Sequence, residues 1–387
     1  MDSPRQDTRR QLRRRRGKPG LPMLLCITRP KPDKLSGFGL YAITAMLRLL
    51  PGRLSGTLAL ALFAAAPAFA GKTLDAIKAK GQLACGVSTG VIGFSAADSQ
   101  GQWKGLDVDL CKAIAAAVLA DPNKVRWVPL SAQQRFTAIQ SGEVDILSRS
   151  TTWSLTRDAA LGLHFAGVSY YDGQGFLVPK KLAVTSVKQL KNAEVCVQSG
   201  TTSEKNLADY ARAQGIKLKP VVFDKFEAAI KAFFSGRCQA YTTDASALAF
   251  IRSKEAPTPD AYLVLPEIIS KEPLAPAVRR GDDEWFAIVK WTLNALIEAE
   301  ELGITQARVD SLKTSPDPAV QRFLGVGEDL GKSLGLDREW AARAVKAVGN
   351  YGEIFNRNVG ADSPLKLPRG LNALWNKGGI LYAQPLR

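Results

Sequence analysis

A single histidine, His164, and five cysteines with no two at C-x-x-C spacing leave this 387-residue chain without the ligand clusters that bind zinc. No metal and no cofactor is expected. The body of the chain also lacks a long basic run, and its aromatic residues do not interleave with basic ones as they do where nucleobases stack. The formal net charge of +16 would otherwise suggest nucleic acid. Residues 1–70 hold 13 Lys/Arg against 3 Asp/Glu, and residues 71–387 hold 39 against 33. Most of the basic excess is therefore confined to the first 70 residues, and no nucleic acid partner is expected. Long apolar runs are scarce: Thr57–Ala66 is too short to cross a bilayer, which takes about 20 residues, and no other segment comes closer. What remains is 46% hydrophobic and 23% charged, with 33 Gly and 21 Pro. That is the composition of a folded protein rather than a disordered or collagen-like one, at a length that suits two domains.

The scarce apolar run has a recognisable setting. Arg48 and Arg53 precede it, and Ala68-Phe69-Ala70 follows it as an A-x-A cleavage site. Residues 46–70 thus have the anatomy of a secretory signal peptide. Cleavage after Ala70 would deliver a soluble mature chain to the periplasm. Residues 1–45 are read either as upstream of a start at Met46 or as an unusually long basic n-region. Cleavage would remove Cys26 and leave Cys85, Cys111, Cys196 and Cys238. An even number of cysteines suits an oxidising compartment, with three pairings open.

In the mature part, short strand patterns alternate with helical ones. Gln82–Ser88, Val125–Leu130 and Val144–Leu147 read as strands. Asp107–Leu119 and Gln133–Gln140 read as helices. Residues 188–191, 195–198, 203–214, 219–223, 226–234 and 239–243 repeat the alternation, which predicts an α/β fold with parallel sheets. The segment Arg135–Thr151 (RFTAIQSGEVDILSRST) is echoed by Ala229–Ala245 (AIKAFFSGRCQAYTTDA). Both run helix, Ser-Gly or a near equivalent, strand, hydroxyl-rich loop, which suggests two similar lobes. Residues 282–387 read as mostly helical, with helices at Asp283–Glu301, Trp340–Val348 and Gly370–Trp375.

In such sheets ligands bind beyond the carboxyl ends of the strands. Three loops there carry chemistry. Ser148–Arg157 (SRSTTWSLTR) offers hydroxyls and the Arg157 guanidinium, whose fork matches a carboxylate. Gln198–Glu204 (QSGTTSE) opens a helix at Thr201 and Thr202, where free amides favour an anion. The plain alternative is a helix cap. Asp244 follows Tyr241-Thr242-Thr243 and could meet an ammonium group; otherwise it caps the next helix. Carboxylate binders on both lobes and one acid describe a pocket for an α-amino acid zwitterion. Asp107 and Asp109 are expected to cap the helix after them, and His164 to be a partly buried imidazole.

At these residues the chain resembles the periplasmic amino-acid-binding proteins of ABC importers, and within them the general L-amino-acid-binding branch. Gly105–Val118, Pro129–Trp153, Leu155–Pro179, Val195–Tyr210, Gly236–Leu248 and Lys346–Gly360 carry the likeness, which covers residues 72–387. The resemblance implies a two-lobed type II periplasmic-binding-protein fold with a helical C-terminal extension. It implies that Arg157 and Thr152 hold the α-carboxylate, that Thr201 and Thr202 complete its cradle, and that Asp244 and the carbonyl of Ser150 meet the ammonium group. Gln198 and Thr243 then face the ligand side chain and Phe94 lines the pocket. The stretch near Ala132 lacks the stacking aromatic of the family, a place that Trp153 would take. Disulfides Cys85–Cys111 and Cys196–Cys238 are implied, one per lobe. So is a chain that crosses between lobes near 172–178 and returns near 269–276, giving lobe 1 as 71–172 and 274–387 and lobe 2 as 173–273. The expected activity is that of a monomeric receptor that hands L-amino acids to membrane permease subunits, with no catalysis. The rival is an enzyme on the same fold, a dehydratase or a lytic cell-wall enzyme.

Overall fold

The computed structural model describes residues 72–387, so the leader, its cleavage site and Cys26 lie outside the described residues. Two five-stranded sheets organise the fold. The first runs Val125–Pro129, Leu83–Val87, Ile146–Leu147, Ala277–Arg279, Leu163–Phe165. The second runs Lys219–Phe223, Glu194–Gln198, Ala240–Asp244, Gln174–Pro179, Tyr262–Val264. The two orders correspond position by position. In each, the first strand is flanked by the next two, and the two echoed segments supply the same third strand. The internal repeat is thus a repeat of lobes.

The sheets are mixed rather than parallel. The strands at 277–279 and 174–179 pair antiparallel with their neighbours. Each of them lies beside a lobe crossing, so it enters its sheet from the hinge end and runs against the βα units. The crossings themselves form a ribbon, with Glu272 opposite Asp172 and Leu274 opposite Tyr170. This ribbon joins the lobes and brings two acids side by side.

Apolar faces explain the layers. The core strand Leu83–Val87 is buried at every residue, as a strand covered on both faces must be. On one side of the first sheet lie the helices Leu106–Leu119 and Asp283–Glu301, together with Trp340–Val348 and Tyr351–Asn358 of the extension. On the other lies Gln134–Ser141. Phe226–Phe234 and Thr202–Ala213 cover opposite faces of the second sheet. The extension is fastened to lobe 1 by charge. Arg343 donates to the carbonyls of Ala116 and Ala117 at the end of helix Leu106–Leu119, where a cation suits the helix terminus. Arg369 grips Glu300 through two bonds of 3.0 Å. Where a helix was expected over Gly370–Trp375, two 3-10 turns form at Gly370–Asn372 and Trp375–Lys377. Trp375 gives its amide to Leu381 at 2.8 Å instead of to a helical carbonyl.

Cys85 is bonded to Cys111, tying strand to helix in lobe 1, and Cys196 to Cys238 in lobe 2. The bridged residues are 26 and 42 positions apart. Loop-closure entropy at those lengths is worth about 3–4 kcal/mol per bridge. Replacing both cysteines of either pair by alanine is expected to lower the unfolding free energy by about that amount, read as a shift in the denaturant midpoint at unchanged slope.

Candidate functional site

The loop after strand Ile146–Leu147 is held from two directions. Asp107, buried in the first turn of helix Leu106–Leu119, accepts the Ser150 amide at 2.8 Å, the Ser150 hydroxyl at 3.2 Å and the Ser148 hydroxyl at 3.1 Å. Those bonds offset the left-handed backbone of Ser150, φ 49°, which costs a non-glycine residue about 1 kcal/mol. From the other side the returning crossing strand laces the loop. Trp153 donates to Pro273 and Ala275 to Thr151 through their backbones. Asp107 therefore does not cap its helix, whose cap position is Gly105. Nor does Asp109, which binds Arg357 and Asn358 of the extension.

Facing this loop, Thr201 caps helix Thr202–Ala213, taking the Glu204 amide at 3.2 Å. Gly200 has φ +71°, and a Cβ there would come within 3.0 Å of the Gln133 side chain in the other lobe. A side chain there would be strained by the positive φ and would press on Gln133. Bonds cross between the lobes from Gln133 to Ser199 at 2.9 Å, from Arg135 to the Gly200 carbonyl at 3.3 Å, from Thr89 to Glu227 at 2.9 Å, and between the Thr152 and Thr202 hydroxyls at 3.4 Å. The lobes are closed on a cavity of about 50 Å³. It is walled by Val91, Arg135, Arg149, Ser150 and Thr152 on one side and by Gln198, Thr201, Thr202, Ser203, Phe226, Thr243, Asp244 and Ala247 on the other. A larger groove of about 440 Å³ lies outside the cleft, but its acids are already paired, Asp98 with Lys104 and Asp109 with Arg357.

Charge in the cleft is concentrated and unevenly satisfied. Glu272, fully buried on the hinge ribbon, accepts the hydroxyls of Thr152, Thr202 at 2.8 Å and Ser270 at 2.6 Å, and the Asn206 amide at 2.8 Å. It joins a hydroxyl of each lobe. Asp172 is engaged by Ser246 and the Gly173 amide. Asp244 and Arg149 differ: among the described residues neither side chain has a hydrogen bond or an ion pair, although Arg149 is only 7% exposed. Burial, and then the nearby Asp172 and Glu272, raise the Asp244 pKa; Arg135 and Arg157 oppose them. Burial lowers Arg149 to about 10, so it remains cationic at neutral pH. Arg135 reaches only Thr151 and Gly200, at 3.4 and 3.3 Å, and its Nε is unpartnered. Among the described residues no cluster of three or more His, Cys, Asp or Glu could hold a metal.

Residues 83–308 match the bacterial extracellular solute-binding proteins, family 3. The chain belongs to this family. It is 57% identical over 324 residues to the general L-amino acid-binding periplasmic protein AapJ of Rhizobium johnstonii, covering 83% of this chain and 95% of that one. It is 51% identical to the glutamate/glutamine/aspartate/asparagine-binding protein BztA of Rhodobacter capsulatus, over 86% and 98% of the two chains. A solved ABC transporter periplasmic binding protein from Brucella ovis, with glutathione bound, shares 53% identity at a TM-score of 0.80, covering 82% of this chain and all of that one. These family 3 relatives are binding proteins, not enzymes, and the fold is the two-lobed one that the resemblance implied.

Within this family 3 chain, the structure brings Ser150, Thr152, Gln198, Thr201, Thr202, Thr243 and Asp244 to one cavity. It does not bring the other three. Phe94 is buried in the lobe 1 core, edge-on to Tyr170. Trp153 faces outward at 38% exposure, stacked on Phe165 with its indole N–H on Asp158. It supplies no ring to the cavity, because the loop's tie to Pro273 turns it away. Arg157 is buried behind the wall, donating to the Thr152 carbonyl at 2.9 Å and lying over Phe136. Its place as a direct cavity residue is taken by Arg135 and Arg149. Both were overlooked: Arg135 as an ordinary residue of a helix, Arg149 amid hydroxyls. The signal for Arg149 was a charge in a strand end otherwise expected to be buried. Glu272, 120 residues from its partner Thr152, left no local signal.

Burial lifts the Asp107 pKa to about 6, against 3.8 in an unfolded chain. The folded state then holds a proton that the unfolded state lacks between about pH 4 and 6, so this group's contribution to stability falls as pH rises through that window. An Asp107→Asn variant keeps the acceptor for Ser150 without the ionisation. Its stability relative to the parent is expected to rise from pH 4 to 6 and level off above, as followed by denaturant unfolding across pH.

Proposed function

We propose that this chain is an extracytoplasmic receptor that captures an L-amino acid between its lobes and presents it to the permease of an ABC importer. One observation carries the reading. Asp244 and Arg149 stand on the wall of one closed cavity as an acid and a guanidinium, each without a hydrogen-bond or ion-pair partner among the described residues. A buried charge without a partner is costly, and a zwitterion supplies an ammonium group to the acid and a carboxylate to the cationic wall. The Asp244 carboxylate takes the ammonium group. The α-carboxylate goes to the amides of Thr202 and Ser203, which no preceding helical turn can satisfy, with Arg135 beside them. The hydroxyls play a different part from that implied by the resemblance. Thr201 donates to the Gln198 carbonyl at 2.7 Å, and Thr152 and Thr202 donate to Glu272. Their protons are engaged, so they offer oxygen lone pairs and suit the ammonium better than the carboxylate. Arg157 acts through the Thr152 backbone.

The ribbon pairing Asp172 with Glu272 supports lobe limits at 71–172 with 274–387 and at 173–273. The leader reading supports export through a signal peptide cleaved after Ala70, and the receptor acts as a monomer. Similarity to ABC transporter binding proteins supports the permease as partner.

Mass spectrometry of the small molecule released on denaturing the purified protein should reveal an amino acid. In calorimetric titration Asp244→Asn is expected to weaken its binding at least about 100-fold, since a charge pair enclosed by the cleft is broken. A neutral released ligand without an amine, or normal binding by that variant, would refute the assignment.

A further inference from the structure

The cleft carries one guanidinium more than an α-carboxylate requires. Once the amides of Thr202 and Ser203 and the adjacent Arg135 have received that group, Arg149 is left. It lies on the cavity wall, is 93% buried, and has no hydrogen bond or ion pair among the described residues. Neither acid near it can serve. Asp107 accepts from Ser148 and from both the amide and hydroxyl of Ser150, and Asp244 belongs to the ammonium group. A guanidinium offers five N–H donors in a planar fork, so the unmet demand is for a planar acceptor of negative charge.

We propose that Arg149 receives a second carboxylate, on the ligand's side chain, so that the preferred ligands are amino dicarboxylates. This rests on the zwitterion reading above and adds a choice to it: the acid over its amide. The α-groups are common to all amino acids and cannot discriminate between them. A charge-assisted, bidentate contact on the side chain can, because an amide offers one acceptor where a carboxylate offers two and a charge. Arg149 is then a specificity residue, one that glutamate and aspartate engage and alanine does not reach.

The exported protein, freed of bound ligand by unfolding and refolding, is titrated by calorimetry with glutamate, aspartate, glutamine and alanine at one pH and salt concentration. Glutamate or aspartate is expected to bind at least about tenfold more tightly than glutamine. In Arg149→Met the glutamate-to-glutamine ratio should collapse to within about threefold, whatever happens to absolute affinity, and in Arg149→Lys it should be intermediate, since the charge survives without the fork. The proposal is overturned if the parent protein binds glutamine or alanine as tightly as glutamate. It is also overturned if Arg149→Met weakens glutamate and glutamine by one factor, which would place the guanidinium on the shared α-carboxylate. If neither variant folds, the parent ratio still decides. Should the parent bind no amino acid at all, the receptor reading falls and takes this one with it; binding without discrimination sinks this one alone.

Discussion

A carboxyl group and a guanidinium face the same small enclosure, and among the described residues no side chain bonds to either. In an open cleft water would solvate both. Closing the lobes removes that water, so closure without a ligand leaves two charges in a medium where each costs several kcal/mol. The bonds that cross the cleft without a ligand, at Gln133, Arg135, Thr89 and Thr152, are few, and a typical one contributes about 1 kcal/mol net. The balance between open and closed forms therefore turns on what fills the cavity, which is what a transport receptor requires: the closed form becomes the marker of occupancy.

The same constraint explains why so much of the surrounding structure is polar and buried. Asp107 holds the Ser150 loop in a backbone conformation it would not choose alone. Gln174, on the outgoing crossing, donates to the Ser203 carbonyl and the Thr242 hydroxyl, fixing the helix end that offers its amides. Glu272, on the returning crossing, collects a hydroxyl from each lobe. Asp107 and Glu272 are satisfied within the protein, whereas Asp244 and Arg149 line the cavity without a bond. The hinge ribbon is part of the site, since one of its acids sits between the lobes it connects.

The C-terminal extension contributes at a distance. Asn372 pairs with both backbone groups of Tyr171, and the Tyr351 hydroxyl binds the Ser169 carbonyl. The outgoing crossing is thus anchored to the extension just before it enters lobe 2.

Much of this was legible in residue order. Alternating strand and helix patterns, the Ser-Gly echo and the positions of SRSTTW, QSGTTSE and YTTD identify two α/β lobes and place seven cavity residues, because strand ends and helix starts are local features with local signals. The likeness to amino-acid-binding proteins then orders them into a cleft. The direction of the strands beside the crossings, the inward turn of Phe94, the outward turn of Trp153 and the retreat of Arg157 behind Thr152 were decided only by folding. Each depends on a partner remote in sequence, Tyr170, Phe165 or Pro273, and packing and pairing across the hinge settle side-chain direction where spacing cannot. The use of each hydroxyl proton is of the same kind: a threonine is a donor or an acceptor toward the ligand according to whether a carboxylate 120 residues away has already claimed its hydrogen.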